Sequence, residues 1–164
     1  MPGNHDHASG IETLVEELHG SSTVLLRNEH HVIQGSDGGL ALLGVDDPRV
    51  HTSQDEAVAA VASRAPGGLF PILLAHRPAA FEAAARHGIP LTLSGHTHGG
   101  QIALPWRDLT PVRLLTKYVR GHYQVGNSHL LVSSGVGTSG PPIRVGVPPS
   151  MALVTLHSGL GDSA

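Results

Sequence analysis

The sequence predicts an α/β domain, and three observations carry that expectation. Apolar residues 71–75 lead into a helical stretch that Pro78 opens and Gly88 closes, and residues 90–93 are apolar again. This strand-helix-strand alternation marks strands joined by a helical crossover. Both apolar runs deliver histidines at their C-terminal ends, His76 from the first and His96 with His98 from the second. Ligands of open α/β sheets gather beyond the carboxyl ends of strands. Finally, 164 residues with 40% hydrophobic and 14% charged residues suit one globular domain with a buried core.

Taken in order, Gly3-Asn4-His5-Asp6 sits where a turn is expected. Ser9-Gly10-Ile11-Glu12 then has the form of a capping box, and Ile11, Leu14, Val15 and Leu18 follow at helical spacing before Gly20. Residues 23–27, 31–34 and 40–45 are short apolar or β-branched runs. They are separated by Asn28-Glu29 and by Ser36-Asp37-Gly38-Gly39, and a three-stranded meander is expected. Asp46-Asp47-Pro48 ends that sheet, and Ser53-Gln54-Asp55-Glu56 caps a helix running to about Arg64. Residues 105–118 lack periodicity and read as a loop carrying Trp106, Arg107, Arg113, Lys117 and Tyr118, a rim for an anionic substrate. Residues 121–125, 129–133 and 151–157 read as closing strands, with a Gly/Pro-rich loop at 135–142 between the last two. That loop lacks the Gly-Lys-Ser/Thr ending of a nucleotide-binding loop and is expected to turn near the histidine face. No repeat, heptad or interdomain linker is visible.

Composition narrows the function. A net charge of -3 with 10 Lys plus Arg gives no basic field for nucleic acid. Without cysteine there is neither a disulfide nor a thiolate metal site. No apolar run reaches the roughly 18 residues of a spanning helix, and the N-terminus lacks a signal-peptide pattern, so the expectation is a soluble, cytoplasmic chain. Thirteen histidines make the chain histidine-rich and raise the expectation of a transition-metal site. Most are expected to be bystanders: His7, His30 and His31 at the surface, and His19, His51, His87, His122, His129 and His157 in packing or solvent.

Ser94-Gly95-His96-Thr97-His98-Gly99-Gly100-Gln101 places two imidazoles on one glycine-bounded turn, which lets them reach neighbouring positions. On a strand they would alternate between faces. Together with Gly3-Asn4-His5-Asp6 and Ala75-His76-Arg77-Pro78, this order of motifs resembles the calcineurin-like metallophosphoesterase superfamily. Gly44-Val45-Asp46-Asp47-Pro48 and Pro141-Pro142-Ile143-Arg144 resemble its YaeI/YkuE-type branch. The resemblance implies the C-terminal portion of a four-layer α-β-β-α sandwich, with mixed sheets flanked by helices. It also implies a metal-dependent phosphodiesterase or phosphomonoesterase using a metal-bound hydroxide as nucleophile. Asn4, His76 and His96 would hold one ion and His98 a second. Asn4 and His5 would touch the phosphate, His5 and Asp6 would serve catalysis with Asp6 orienting His5, and Arg113 would meet the substrate. The cofactor would be one or two ions of Mn, Fe, Zn or Co; two such ions about 3.5 to 4 Å apart share the charge of an in-line displacement.

The chain departs from that family most in one respect. Members carry an Asp-x-His motif and a Gly-Asp motif ahead of Gly-Asn-His-Asp, and this chain has neither. Residues 1–164 are therefore expected to be a single truncated domain whose activity is weakened or depends on assembly. A homodimer or higher oligomer is expected to complete the fold by covering open edges and apolar faces. The alternative is a non-catalytic metal-binding remnant or interaction module.

Overall fold

The protein is described by a computed structural model covering residues 1–35, 38–47, 53–104 and 109–157. Its centre is one mixed six-stranded sheet built from β1 (Glu29–Gly35), β2 (Gly38–Val45), β3 (Phe70–Ala75), β4 (Leu91–Ser94), β5 (Gly121–Val125) and β6 (Ser128–Val132). In space the order is β1-β2-β3-β4-β6-β5; the four inner strands are parallel, and β1 and β5 are antiparallel edges. The helices are α1 (Asn4–Ser9), α2 (Ile11–Leu18), α3 (Gln54–Arg64) and α4 (Ala80–Arg86). No helix among the described residues is long and apolar enough to cross a membrane.

Parallel pairing fixes the level of the strand ends. Val45 is opposite Ala75, Leu74 opposite Leu93, and Ser94 opposite Val132, so Val45, Ala75, Ser94 and Val132 form one row. The loops that follow therefore leave the same sheet margin, carrying Asp46-Asp47, His76, His96 and His98, and Ser133. Gly95 N donates to His76 O at 3.2 Å and Ser133 N to Ser94 O at 2.8 Å, which extends the ladder into those loops.

Helices α3 and α4 cover one face. Leu43, Val45, Leu73 and Ala75 of the sheet pack with Val58 and Val61 of α3 and with Ala80, Ala83 and Ala84 of α4. The small alanines of α4 let it lie close to the strands. Ser53 accepts from Glu56 N at 3.2 Å while the Glu56 carboxylate accepts from Ser53 N at 3.3 Å, the expected capping box of α3. The opposite face carries Leu42, Leu74, Leu93 and Leu131, all only partly buried. Parallel strands normally read as apolar on both sides because both sides are covered.

Several sequence expectations are corrected. Gly3-Asn4-His5-Asp6 enters helix α1 rather than a turn, and Ser9 ends that helix, so it caps nothing. Helix α2 starts from Gly10 at φ 102°, with no side-chain cap. Residues 23–27 form no strand: Leu26 is buried against Gly44, where a side chain on Gly44 would stand 2.2 Å from Leu26 Cβ. The segment packs over the sheet instead of pairing at its edge, and the meander reduces to the β1-β2 hairpin. Residues 151–157 are not a strand either; Met151 is 88% and Leu153 94% exposed. β-branched and apolar character makes a strand only where another edge supplies its hydrogen bonds. Within 105–118 the described part contains a 3₁₀ turn at Pro111–Leu114. Pro48, Trp106 and Arg107 lie outside the described residues, as do Ser36, Asp37 and His51.

Candidate metal centre

Three of the residues expected to bind metal meet at one point. His76 Nε2 lies 2.7 Å from Asn4 Oδ1, His96 Nδ1 lies 3.1 Å from the same oxygen, and the two imidazole nitrogens are 3.0 Å apart. The rings cross edge to face, with centroids 4.7 Å apart and planes at 66°. His76 comes directly off the end of β3, and Asn4 opens α1. Gly3 is fixed by this contact, because a Cβ there would stand 2.8 Å from His76 Cε1 and Nδ1. Only glycine lets the helix start press against the imidazole.

The turn that holds His96 and His98 is built from left-handed backbone. His96 has φ 70°, His98 φ 51°, Gly99 φ 64° and Gly100 φ 89°. For non-glycine residues this region is uncommon and is retained at functional sites when the surroundings enforce it. Here Thr97 Oγ1 donates to Val119 O, Arg120 Nη1 to Gly99 O at 3.0 Å, and Arg144 Nη1 to His98 O at 3.3 Å. A Cβ on Gly99 would meet Ser134 Oγ at 2.5 Å and Val147 Cγ1 at 2.7 Å, so this turn also lies flush against the loop after β6.

Both imidazoles at the meeting point favour the neutral form. Burial is the main cause for each; it lowers the pKa of His76, and for His96 burial, reinforced by the charges of Arg77 and His76, lowers it to about 4. Neutral imidazole is the ligating form. Ligands about 2.1 Å from an octahedral ion stand about 3.0 Å apart when adjacent. The triangle of Asn4 Oδ1, His76 Nε2 and His96 Nδ1 has edges close to that value, so the donors fit one face of a divalent transition ion. No cluster of three or more His, Asp or Glu side chains spaced to hold a metal exists among the described residues. The carboxamide is what makes the third corner.

The other expected site residues are placed differently. His98 lines, with His96, a cavity of about 490 Å³ that also touches Arg77, Gln101, Val112 and Leu115. His5 is exposed on α1, and the Asp6 carboxylate accepts from Gly3 N at 2.6 Å, closing the first turn of the helix rather than reaching His5. Arg113 is exposed on the 3₁₀ turn and is not among the residues that line the cavity. Lys117 pairs with Glu82 at 2.7 Å.

Other residues carry the site without having been singled out by the sequence. His7, expected at the surface, has its ring only 10% exposed and pairs with Asp46, which also accepts from Arg27 Nε at 3.2 Å; this ties α1 to the end of β2. Asp47 is fully buried and accepts from Arg77 Nε at 2.8 Å. Gln101 Nε2 donates to Ser139 O at 3.0 Å and Pro141 O at 3.2 Å, while its Oε1 accepts from Ser139 N at 2.7 Å. Arg144 reaches Ser134 O at 2.7 Å and Gly137 O as well as His98 O. These two side chains bind the Gly/Pro loop at 135–142 to the histidine turn. Their place inside shared motifs was the signal, but spacing alone does not say which loop each one grips.

Several known proteins resemble this chain in sequence. No family model matches the chain and no solved structure matches it. An uncharacterized metallophosphoesterase of Helicobacter pylori strain J99 is 36% identical over 95% of this chain and 41% of its own length. One from Aquifex aeolicus is 33% identical over 94% of this chain and 58% of its own. Over nearly its whole length the chain is similar to these proteins, which are named metallophosphoesterases. It is also 33% identical over 95% of its length to the uncharacterized metallophosphoesterase YkuE of Bacillus subtilis, 54% of which is matched. The chain thus spans about half the length of the curated relatives it matches.

Proposed function

We propose that the chain carries the histidine side of a metal-dependent phosphoester hydrolase centre. Asn4, His76 and His96 hold one divalent ion, drawn from Mn, Fe, Zn or Co, and His98 serves a second. The single observation supporting this is the donor triangle with edges of 2.7, 3.0 and 3.1 Å, formed by neutral imidazoles and a carboxamide. A bound ion of this kind supplies Lewis-acid charge to a phosphoryl group and acidifies water at neutral pH. The chain's own residues do the rest: Asn4 orients the phosphoester, and His5, exposed on the helix that Asn4 opens, protonates the departing alkoxide. The cavity beside His96 and His98 takes the substrate. Activity of this chain alone is weak, because three donors occupy one face of an ion and leave its remaining positions to water or to another chain. The unit is a single domain that completes itself as a homodimer.

The deciding experiment is metal analysis of the purified chain together with hydrolysis of an aryl phosphodiester, with and without added Mn²⁺. Metal uptake and Mn²⁺-stimulated hydrolysis, both lost in His96→Ala, are expected. Hydrolysis that survives in His96→Ala would refute the assignment. A second reading, a non-catalytic metal-binding remnant, is favoured by the lack of a carboxylate in the donor triangle among the described residues. It predicts metal uptake without hydrolysis.

A further inference from the structure

Of the side chains lining the cavity beside His96 and His98, Arg77 is the one with a permanent positive charge. Its position is fixed by Asp47, whose side chain is fully buried and accepts from Arg77 Nε at 2.8 Å. The Arg77 side chain itself stays 31% exposed. No hydrogen bond from its terminal Nη groups to a described residue accompanies the Nε contact, so a planar fork of donors is held at the cavity by its inner edge alone. The other basic side chains nearby are differently employed. Lys117 is paired with Glu82, and Arg144 is spread over Ser134, Gly137 and His98 carbonyls.

A guanidinium fixed next to a cluster of cation ligands has one chemical use that lowers, rather than raises, the local repulsion: it shares an anion with the cation. Guanidinium suits tetrahedral oxyanions because two N–H groups reach two oxygens at once, and a preset rotamer removes the ordering cost of that contact. We propose that Arg77 is the anion-binding residue of this site, taking the non-bridging oxygens of a phosphoester through its Nη groups, with Asp47 as the positioning residue that aims it. The inference deepens the phosphoesterase reading and rests on it for the identity of the anion.

The test uses calorimetric titration of the full chain with phenylphosphonate, a phosphoester mimic that hydrolysis does not consume, in Mn²⁺-saturated and in chelator-treated protein. Arg77→Lys keeps the charge and loses the fork. The double variant Arg77→Met with Asp47→Asn removes both partners, so no buried carboxylate is left unpaired. Loss of a charge-assisted pair of hydrogen bonds weakens phosphonate binding on the order of tenfold to a hundredfold in both variants, with Mn²⁺ affinity within about twofold of the parent. Phosphonate binding equal to the parent in either folded variant would overturn the proposal, as would Mn²⁺ uptake by the parent with no phosphonate binding. If the parent takes up no Mn²⁺, it is the metal reading that fails. The chelator-treated titration then decides Arg77 separately: binding lost in Arg77→Lys supports it, and equal or absent binding rejects it.

Discussion

His96 concentrates the chemistry of the site in one side chain. Its imidazole is held neutral by burial and by the neighbouring charges of Arg77 and His76, with a pKa of about 4 against an ordinary 6.5. Between those values the unfolded chain binds a proton that the folded chain refuses, so stability is fully present above about pH 6.5 and is lost as pH falls towards 4. His76, lowered in the same direction, adds to the trend. Metal-free protein is therefore expected to show a lower urea midpoint at pH 5 than at pH 7.5; an equal or higher midpoint at pH 5 would contradict this account. Gly3 offers an independent check. Adding a methyl group 2.8 Å from His76 forces the imidazole or α1 to move, and Gly3→Ala should weaken Mn²⁺ binding by about tenfold or more, the scale found when groups that orient ligands are disturbed. Retained affinity would mean that the triangle is not the binding site.

At the scale of elements, the capped helix and the strand-end loops separate what a sequence discloses from what it withholds. Ser53 and Glu56 form the capping box written into residues 53–56, and Ser53→Ala should cost about 1 kcal/mol of unfolding free energy, measured by denaturant titration; no change would show that the cap is not stabilising. Strands β3 and β4 were legible because an apolar run, a helix and a second run force a parallel crossover, and with them came the placement of His76 and His96. Residues 23–27 and 151–157 have the same local composition and are not strands, since pairing depends on an edge elsewhere in the chain. The role of Gln101 was illegible for a related reason. Its amide grips Ser139 and Pro141 across 38 to 40 residues, and no local pattern encodes that distance. His7 looked like a surface residue because its partner, Asp46, lies 39 positions away. Arg144 joins the same class of long-range contact, and Arg144→Ala should speed amide exchange in residues 98–100 and 134–137; unchanged exchange would assign the loop's position to packing alone.

For the whole molecule, the unequal faces of the sheet dominate. One face is sealed by α3 and α4, while Leu42, Leu74, Leu93 and Leu131 on the other stay partly accessible. A parallel sheet only partly covered on that side, where Leu26 packs over Gly44 and Ile72 is buried, retains the sort of apolar surface that proteins cover. Sedimentation should accordingly find self-association in the micromolar range, reduced by Leu74→Glu. A monomer at all concentrations, with no binding of a hydrophobic dye, would count against it.

The level row of strand ends sets how this protein tolerates length changes. Because Leu74 pairs with Leu93 and Gly95 N donates to His76 O, adding or deleting one residue within either strand would shift its outgoing loop by about 3.3 Å and reverse its facing. That displacement exceeds the separations of 2.7 to 3.1 Å between donors. An insertion at the exposed Pro66-Gly67-Gly68 bend upstream leaves the alignment intact. Lineages of this fold should thus accumulate indels before β3 and almost none inside it.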